Sequence, residues 1–450
     1  MRRRTVTSLL VASALLALVG SQVVDASTTP GSLTFSNAPL LRPEGDSEPA
    51  ITIGADGTTA VSALAWETFG LNTWAGNFGT TPTFKGALDV GSKKAKTVLG
   101  GDDGDLEIAS TGTLQATSLD VLVNPAFTNG QLGISAIRCP NATGGSFDFS
   151  ACKGQVIDTA GADRQWVTTD GSRSYISYHD SGNSTLIHVQ RSDDDGLTWH
   201  RVGSPIPGQG RATGDATFNN DQGPIVADPR SHAVYDIYAA GEPGIQKATS
   251  ATFNNIFVSK STDGGRHWTS TLVNHRPLFT GLNNVFPALA VDPVNGHVSA
   301  AWSDAHHVFF STSSDGGAHW STAVAVNIAP ASTALFPWLA ARNGTIDLVY
   351  YGTTAATKDD PSAVWNTYLA QTTDGGASFT QSRVSNTPNH VGVICTDGIA
   401  CASGTRNLLD LFEVAIDPLN GKAGVIYADD TLTVDGSGNP LPQVVIAYQN

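Results

Sequence analysis

One eight-residue pattern, Ser/Thr-x-Asp-x-Gly-x-x-Trp/Phe, occurs four times in this chain and limits its fold more than any other feature. The copies occupy residues 192–199, 261–268, 313–320 and 372–379. Each has the chemistry of a tight turn. The aspartate (Asp194, Asp263, Asp315 or Asp374) can accept backbone N–H groups, and the glycine supplies the positive φ that such a turn needs. The hydroxyl can tie the incoming strand to the turn, and the ring folds back to bury apolar surface. Each copy follows an alternating strand such as Ile256-Phe257-Val258-Ser259. Four such turns in one chain imply an array of small β units.

A second element recurs ahead of each turn. Gly223-Pro224-Ile225-Val226-Ala227-Asp228-Pro229, Phe286-Pro287-Ala288-Leu289-Ala290-Val291-Asp292-Pro293, Phe336-Pro337-Trp338-Leu339 and Phe412-Glu413-Val414-Ala415-Ile416-Asp417-Pro418 are variants of one strand. Turn dipeptides such as Asn295-Gly296 and Asn420-Gly421 then lead into a partner strand, which makes each a hairpin. The near-continuous apolar character suits a strand covered on both faces near a central axis. Such strands fall near Glu48, Asp105, Arg164, Gln222, Phe286, Phe336 and Phe412. Seven starts predict an all-β β-propeller of seven four-stranded antiparallel blades, with six if one early unit is a decoration. The last unit runs out near Ile446, so a strand around Leu33-Thr34-Phe35, in the segment 27–43, is expected to complete it and hide an exposed edge. Residues 44–450 form the propeller in this reading.

Composition adds the compartment. Arg2, Arg3 and Arg4 followed by the apolar run from Leu9 to Val19 read as a signal peptide over residues 1–26. Its removal takes away three arginines and one aspartate and moves the formal net charge from −15 to −17. So acidic a chain is not expected to bind nucleic acid or insert in a membrane, and it is read as secreted and monomeric. In that compartment Cys139 with Cys152 and Cys395 with Cys401 read as two local disulfides, metal binding being the lesser alternative.

The four turns, in an exported all-β chain, resemble the Asp-boxes (bacterial neuraminidase repeats) of the sialidase superfamily, over residues 163–388 most clearly. The resemblance implies a propeller with a glycan cleft at its axis and Asp-boxes at the periphery, which makes their aspartates structural. Non-catalytic propellers carry the same turns. Sialidase chemistry implies three arginines on the substrate carboxylate, a tyrosine nucleophile activated by a glutamate, and an aspartate as acid/base. The family's first arginine belongs to a Phe/Tyr-Arg-Ile-Pro motif, and here the nearest match is Ser47-Glu48-Pro49-Ala50, with glutamate in its place.

Five of the seven strand starts instead carry an acidic set with two arginines: Glu48, Asp105, Asp163, Arg164, Asp221, Arg406, Asp410 and Glu413. Gathered at one channel mouth, these carboxylates would raise one another's pKa and provide an acid and a base. The alternative is a lattice of ion pairs lining a wet channel. Tyr350, Tyr351 and Tyr427 are nucleophile candidates that strand packing explains equally. The run Gly101-Asp102-Asp103-Gly104-Asp105-Leu106-Glu107 holds oxygen donors for calcium without EF-hand spacing, and no other cofactor is expected. The sequence therefore supports two functions. One is an exo-acting glycoside hydrolase on an extracellular glycan or glycoconjugate, the terminal sugar being sialic acid or another. The other is a propeller that binds glycan or protein without catalysis, through loops at 70–100, 241–251 and 387–407.

Overall fold

Seven antiparallel sheets are arranged in a ring in the computed structural model. It describes residues 23–66, 70–88, 98–123, 130–159, 162–180, 186–206, 220–241, 253–277, 280–282 and 284–450. The signal peptide expected over 1–26 lies outside these residues up to position 22, as do parts of the loops at 70–100 and 241–251.

The innermost strands of blades one to seven are Asp46–Ile53, Val98–Ile108, Ala162–Asp170, Asn220–Asp228, Ala288–Val291, Thr333–Arg342 and Glu413–Ile416. Each packs on the next, and the seventh packs on the first, so the ring is closed. The blade faces meet through apolar clusters. Ile51, Val61 and Trp74 of blade one lie against Ile426, Val444 and Ile446 of blade seven, and Ala288, Ala301 and Phe310 of blade five against Leu348, Tyr350 and Phe379 of blade six. Blade seven is completed by Phe35–Pro39, which pairs antiparallel with Pro440–Gln449. Upstream of it, Ser27–Pro30 adds a parallel strand to the outer edge of blade six.

The four Ser/Thr-x-Asp turns join the third and fourth strands of blades three to six, at the rim. Asp263 shows their bonding: it accepts from Ser261 Oγ at 3.0 Å and from the His267 N–H at 2.9 Å, while the Gly265 N–H donates to Ser261 Oγ at 2.9 Å. Trp268 folds back and donates its indole N–H to the Gly265 carbonyl at 2.9 Å. The turns also clasp the preceding blade, a role the pattern alone does not reveal. Arg191 donates to the Gly264 carbonyl at 2.8 Å, and Lys260 to that of Gly316 at 2.9 Å. In the first turn Asp195 stands where the others have glycine, at φ +60°, and pairs with Arg138 of blade two at 2.6 Å.

Both cysteine pairs are disulfides, Cys139–Cys152 and Cys395–Cys401. Among the described residues no helix is long and apolar enough to cross a membrane.

Candidate functional site

The innermost strands do not enter the ring smoothly. Glu48, Arg164 and Phe336 sit in bulges at the strand starts with φ of +47°, +52° and +56°, and Val285 and Leu409, just ahead of their strands, have φ of +52° and +53°. Blade four makes its own register shift at Gly223, where a Cβ would come 2.0 Å from the Pro287 carbonyl oxygen. Residues in this region store strain of about 1–3 kcal/mol each and persist only where surrounding contacts hold them. A bulge also re-aims a side chain. Here it turns Glu48 and Arg164 toward the mouth of the channel.

Arg164 is the hub of that mouth. Its guanidinium meets Glu48 at 2.9 Å, Asp103 at 3.2 Å and Asp410 at hydrogen-bond distance. Arg406 holds Asp410 from the other side, with Nε 3.1 Å from Oδ1. Glu48 also accepts the Asp410 N–H at 3.0 Å. Arg164 lies 4.7 Å over the Phe286 ring, which stands edge-on to the buried Trp166 at 5.2 Å. Burial works against the charge on Arg164, but Asp103, Glu48 and Asp410 outweigh it and raise its pKa. Burial, then Asp103, push the Glu48 carboxyl well above the ordinary range despite Arg164.

Beside this lattice is a cavity of about 340 Å³. Asp163, Arg164, Asp221, Asp410, His179 and Phe286 are among the residues that line it. Asp163 stands opposite His179 in the strand register. Asp221 has no side-chain hydrogen-bond partner among the described residues. Burial pushes its carboxyl up to about 7; Arg164 opposes this, while Asp410 and Asp163 add to it.

The structure thus brings Glu48, Asp163, Arg164, Asp221, Arg406 and Asp410 together and leaves Asp105 and Glu413 elsewhere. These two lie further along the channel wall with Glu107, where they stitch neighbouring blades. Asp105 accepts the Val167 N–H and Glu413 the Ile51 N–H, both at 2.8 Å, and Thr169 Oγ1 donates to Glu107 at 2.6 Å. The mouth residue of blade two is Asp103, which the sequence offers only as an oxygen donor in the run 101–107. The run 101–107 is part of a strand, and among the described residues no group of three or more His, Cys, Asp or Glu side chains is placed to hold a metal ion.

The sialidase parts are not assembled among the described residues. Among the described residues Arg164 is the one arginine that lines the mouth cavity, Arg406 stands behind Asp410, and both are bound to carboxylates. Tyr350, Tyr351 and Tyr427 are buried in the blades, engaged with Gln381 Oε1 at 2.6 Å, the Ala428 N–H at 3.1 Å and Asn37 Oδ1 at 2.6 Å.

Buried acids give the fold a definite pH response. Desolvation pushes Asp46 up to about 8, and Asp105, Glu107, Asp221 and Asp347 up to about 7. The same groups titrate near 4 in the unfolded chain. The unfolded state therefore releases protons between pH 4 and 7 that the folded state keeps. The stability these groups contribute is full below about pH 4 and is lost as pH rises through 7–8. Asp194 and Asp374, held down at about 2 first by hydrogen bonds from Thr198 and Ser378, lose their contribution only in strong acid. Thermal unfolding at constant ionic strength should give a higher Tm at pH 5 than at pH 8; a flat or rising profile contradicts this account.

No protein-family model matches the chain, and no curated protein does. Solved structures similar to it include the Hadza microbial sialidase Hz136, at 13% identity and a TM-score of 0.46 over 75% of this chain and 66% of that one. The Penicillium chrysogenum α-L-arabinanase complexed with arabinobiose matches at 13% and 0.43, over 93% and 98%. The Aleuria aurantia lectin matches at 13% and 0.45, over 77% and 97%. At these values the likeness concerns the arrangement of blades, and no residue of the site is read from it.

Proposed function

We propose that this is an exported propeller that acts on a glycan, taking a neutral terminal sugar in the mouth cavity between Asp163 and Asp221. The observation that carries this reading is the acidic cavity whose lining arginine, Arg164, is already engaged by Glu48, Asp103 and Asp410, with Arg406 behind it bound to Asp410. Among the described residues a sugar carboxylate there would find no free guanidinium and would face Asp163, Asp221 and Asp410. A neutral sugar offers hydroxyls, which carboxylates and His179 can bind, and C–H groups for the part of Phe286 that lines the cavity. The cavity falls within the range of small-molecule sites, about 300–1,000 Å³.

The chemistry this arrangement suits is glycoside hydrolysis. Asp221, protonated up to about pH 7, gives its proton to the glycosidic oxygen as the bond to the anomeric carbon breaks. Asp163 takes a proton from the attacking water, or attacks first and is released by water, according to the separation of the two carboxyls. A second reading, binding without turnover, is favoured by one feature: the lattice of Glu48, Arg164, Asp410 and Arg406 is internally satisfied, as in a rigid scaffold.

A panel of fluorogenic aryl glycosides separates the readings. Hydrolysis of a neutral glycoside, with sialosides untouched and activity down about 100-fold or more in Asp221→Asn, supports the hydrolase. Cleavage of sialosides overturns the neutral-sugar assignment. Silence across the panel, with sugar binding retained, favours the binding propeller.

A further inference from the structure

A second cavity, of about 460 Å³, adjoins the mouth. Trp66, Ser403, Arg406, Asn407, Asp435 and Asn439 are among the residues that wall it. Gly398 lines both cavities, and Arg406, which lines the second, holds the Asp410 carboxyl that lines the first. The partition between them is the loop closed by Cys395–Cys401: Thr396 faces the mouth cavity and Cys401 the other. This partition is held in place. The Cys395 N–H donates to the Thr405 carbonyl at 2.8 Å, and Asn407 Nδ2 donates to the buried Asp430 at 2.9 Å. Asp430 also meets His390 Nδ1 at 2.9 Å, and the other ring nitrogen of His390 donates to the Val393 carbonyl at 3.2 Å.

We propose that the Trp66 cavity is a second sugar subsite, so that the ligand is a neutral oligosaccharide whose terminal unit enters the mouth while the following units cross the disulfide loop onto Trp66. This rests on the mouth being a sugar site. The wall has what a sugar ring needs. The half-buried indole of Trp66 offers an apolar face for its C–H groups, and short polar side chains around it offer donors and acceptors for its hydroxyls. Asp435 and Asn439 are fixed by their own turn, with Asn439 Nδ2 2.9 Å from Asp435 Oδ2, so they meet a ligand already ordered. The rigid partition sets the spacing between the two rings.

The test uses the full-length exported protein carrying Asp221→Asn, so that ligands survive, and titration calorimetry. Glucose, galactose, arabinose and xylose are each compared with their linear trisaccharides. One trisaccharide should bind about ten-fold tighter than its monosaccharide. Adding Trp66→Ala should abolish that gain and leave the monosaccharide affinity unchanged. Ser403→Arg, which fills the cavity from an exposed position and leaves the tryptophan at 66 in place, should do the same. A trisaccharide that gains nothing, or a gain that survives both variants, overturns the subsite and leaves the mouth assignment standing. If no monosaccharide or trisaccharide binds, the mouth assignment itself falls, and the subsite with it.

Discussion

Arg164→Ala should lower the folding stability by about 3–5 kcal/mol, the cost of breaking a buried ion pair by removing one partner. Glu48 and Asp410 are 3% and 4% exposed, so water cannot take over from the lost guanidinium. Glu48 and Arg164 also both occupy the left-handed region, and their mutual contact is part of what holds that strain. Arg406→Ala should cost clearly less, because Arg406 is more exposed, at 24%, and among the described residues it forms a salt bridge with Asp410 alone, which keeps Arg164. The double variant Glu48→Gln with Arg164→Met should recover part of the loss, since it removes charge from both sides. Urea unfolding of the four proteins reads these differences; an Arg164→Ala protein within 1 kcal/mol of wild type would mean the lattice is wet and weakly coupled. A second effect follows at Asp221. Arg164 holds its pKa down, so the basic limb of any pH–rate profile should move upward in Arg164→Ala.

Deleting residues 27–39 should be at least as damaging. Phe35–Pro39 pairs residue for residue with the last strand, from Phe35 opposite Gln449 to Pro39 opposite Val445. Asn37 adds a bond from Tyr427 at 2.6 Å. Without this strand, blade seven ends on an open edge, Pro440–Gln449, with unpaired backbone groups along it. Such an edge pairs with other chains. The truncated protein is expected to aggregate or to melt at much lower temperature, and adding a synthetic peptide of residues 31–39 should restore part of the melting temperature. A truncated protein that stays monomeric with an unchanged melting curve would show that the ring closes without that strand. The signal peptide reading makes the experiment practical, because the deletion begins just past the expected cleavage point.

The architecture was legible because it repeats. The Ser/Thr-x-Asp-x-Gly turns announce where the third and fourth strands meet, and the apolar innermost strands near Glu48, Arg164 and Phe336 recur with turn signals after them. What the pattern could not carry was the backbone at the mouth. A positive φ at Glu48 or Arg164 has no propensity signal, since glutamate and arginine ordinarily avoid that region. The same blindness displaced the acidic set along two strands. The apolar pattern places the start of the blade-two strand near Asp105, which puts Asp105 at the mouth. The strand in fact reaches back to Val98 with register shifts at Gly101 and Gly104, and Asp103 meets Arg164. In blade seven the mouth residue is Asp410, three positions before Glu413. His179 and Phe286 join the cavity through register and packing across blades, which a linear pattern does not encode.

The most direct test of the central claim is crystallography of the Asp221→Asn protein soaked with the neutral sugar that binds most tightly. A sugar ring is expected in the mouth cavity, with hydroxyls or the anomeric oxygen in hydrogen-bond reach of Asp163 and residue 221, and C–H groups against the part of Phe286 that lines it. A saturated site elsewhere on the propeller, with the mouth cavity holding only water, would contradict it.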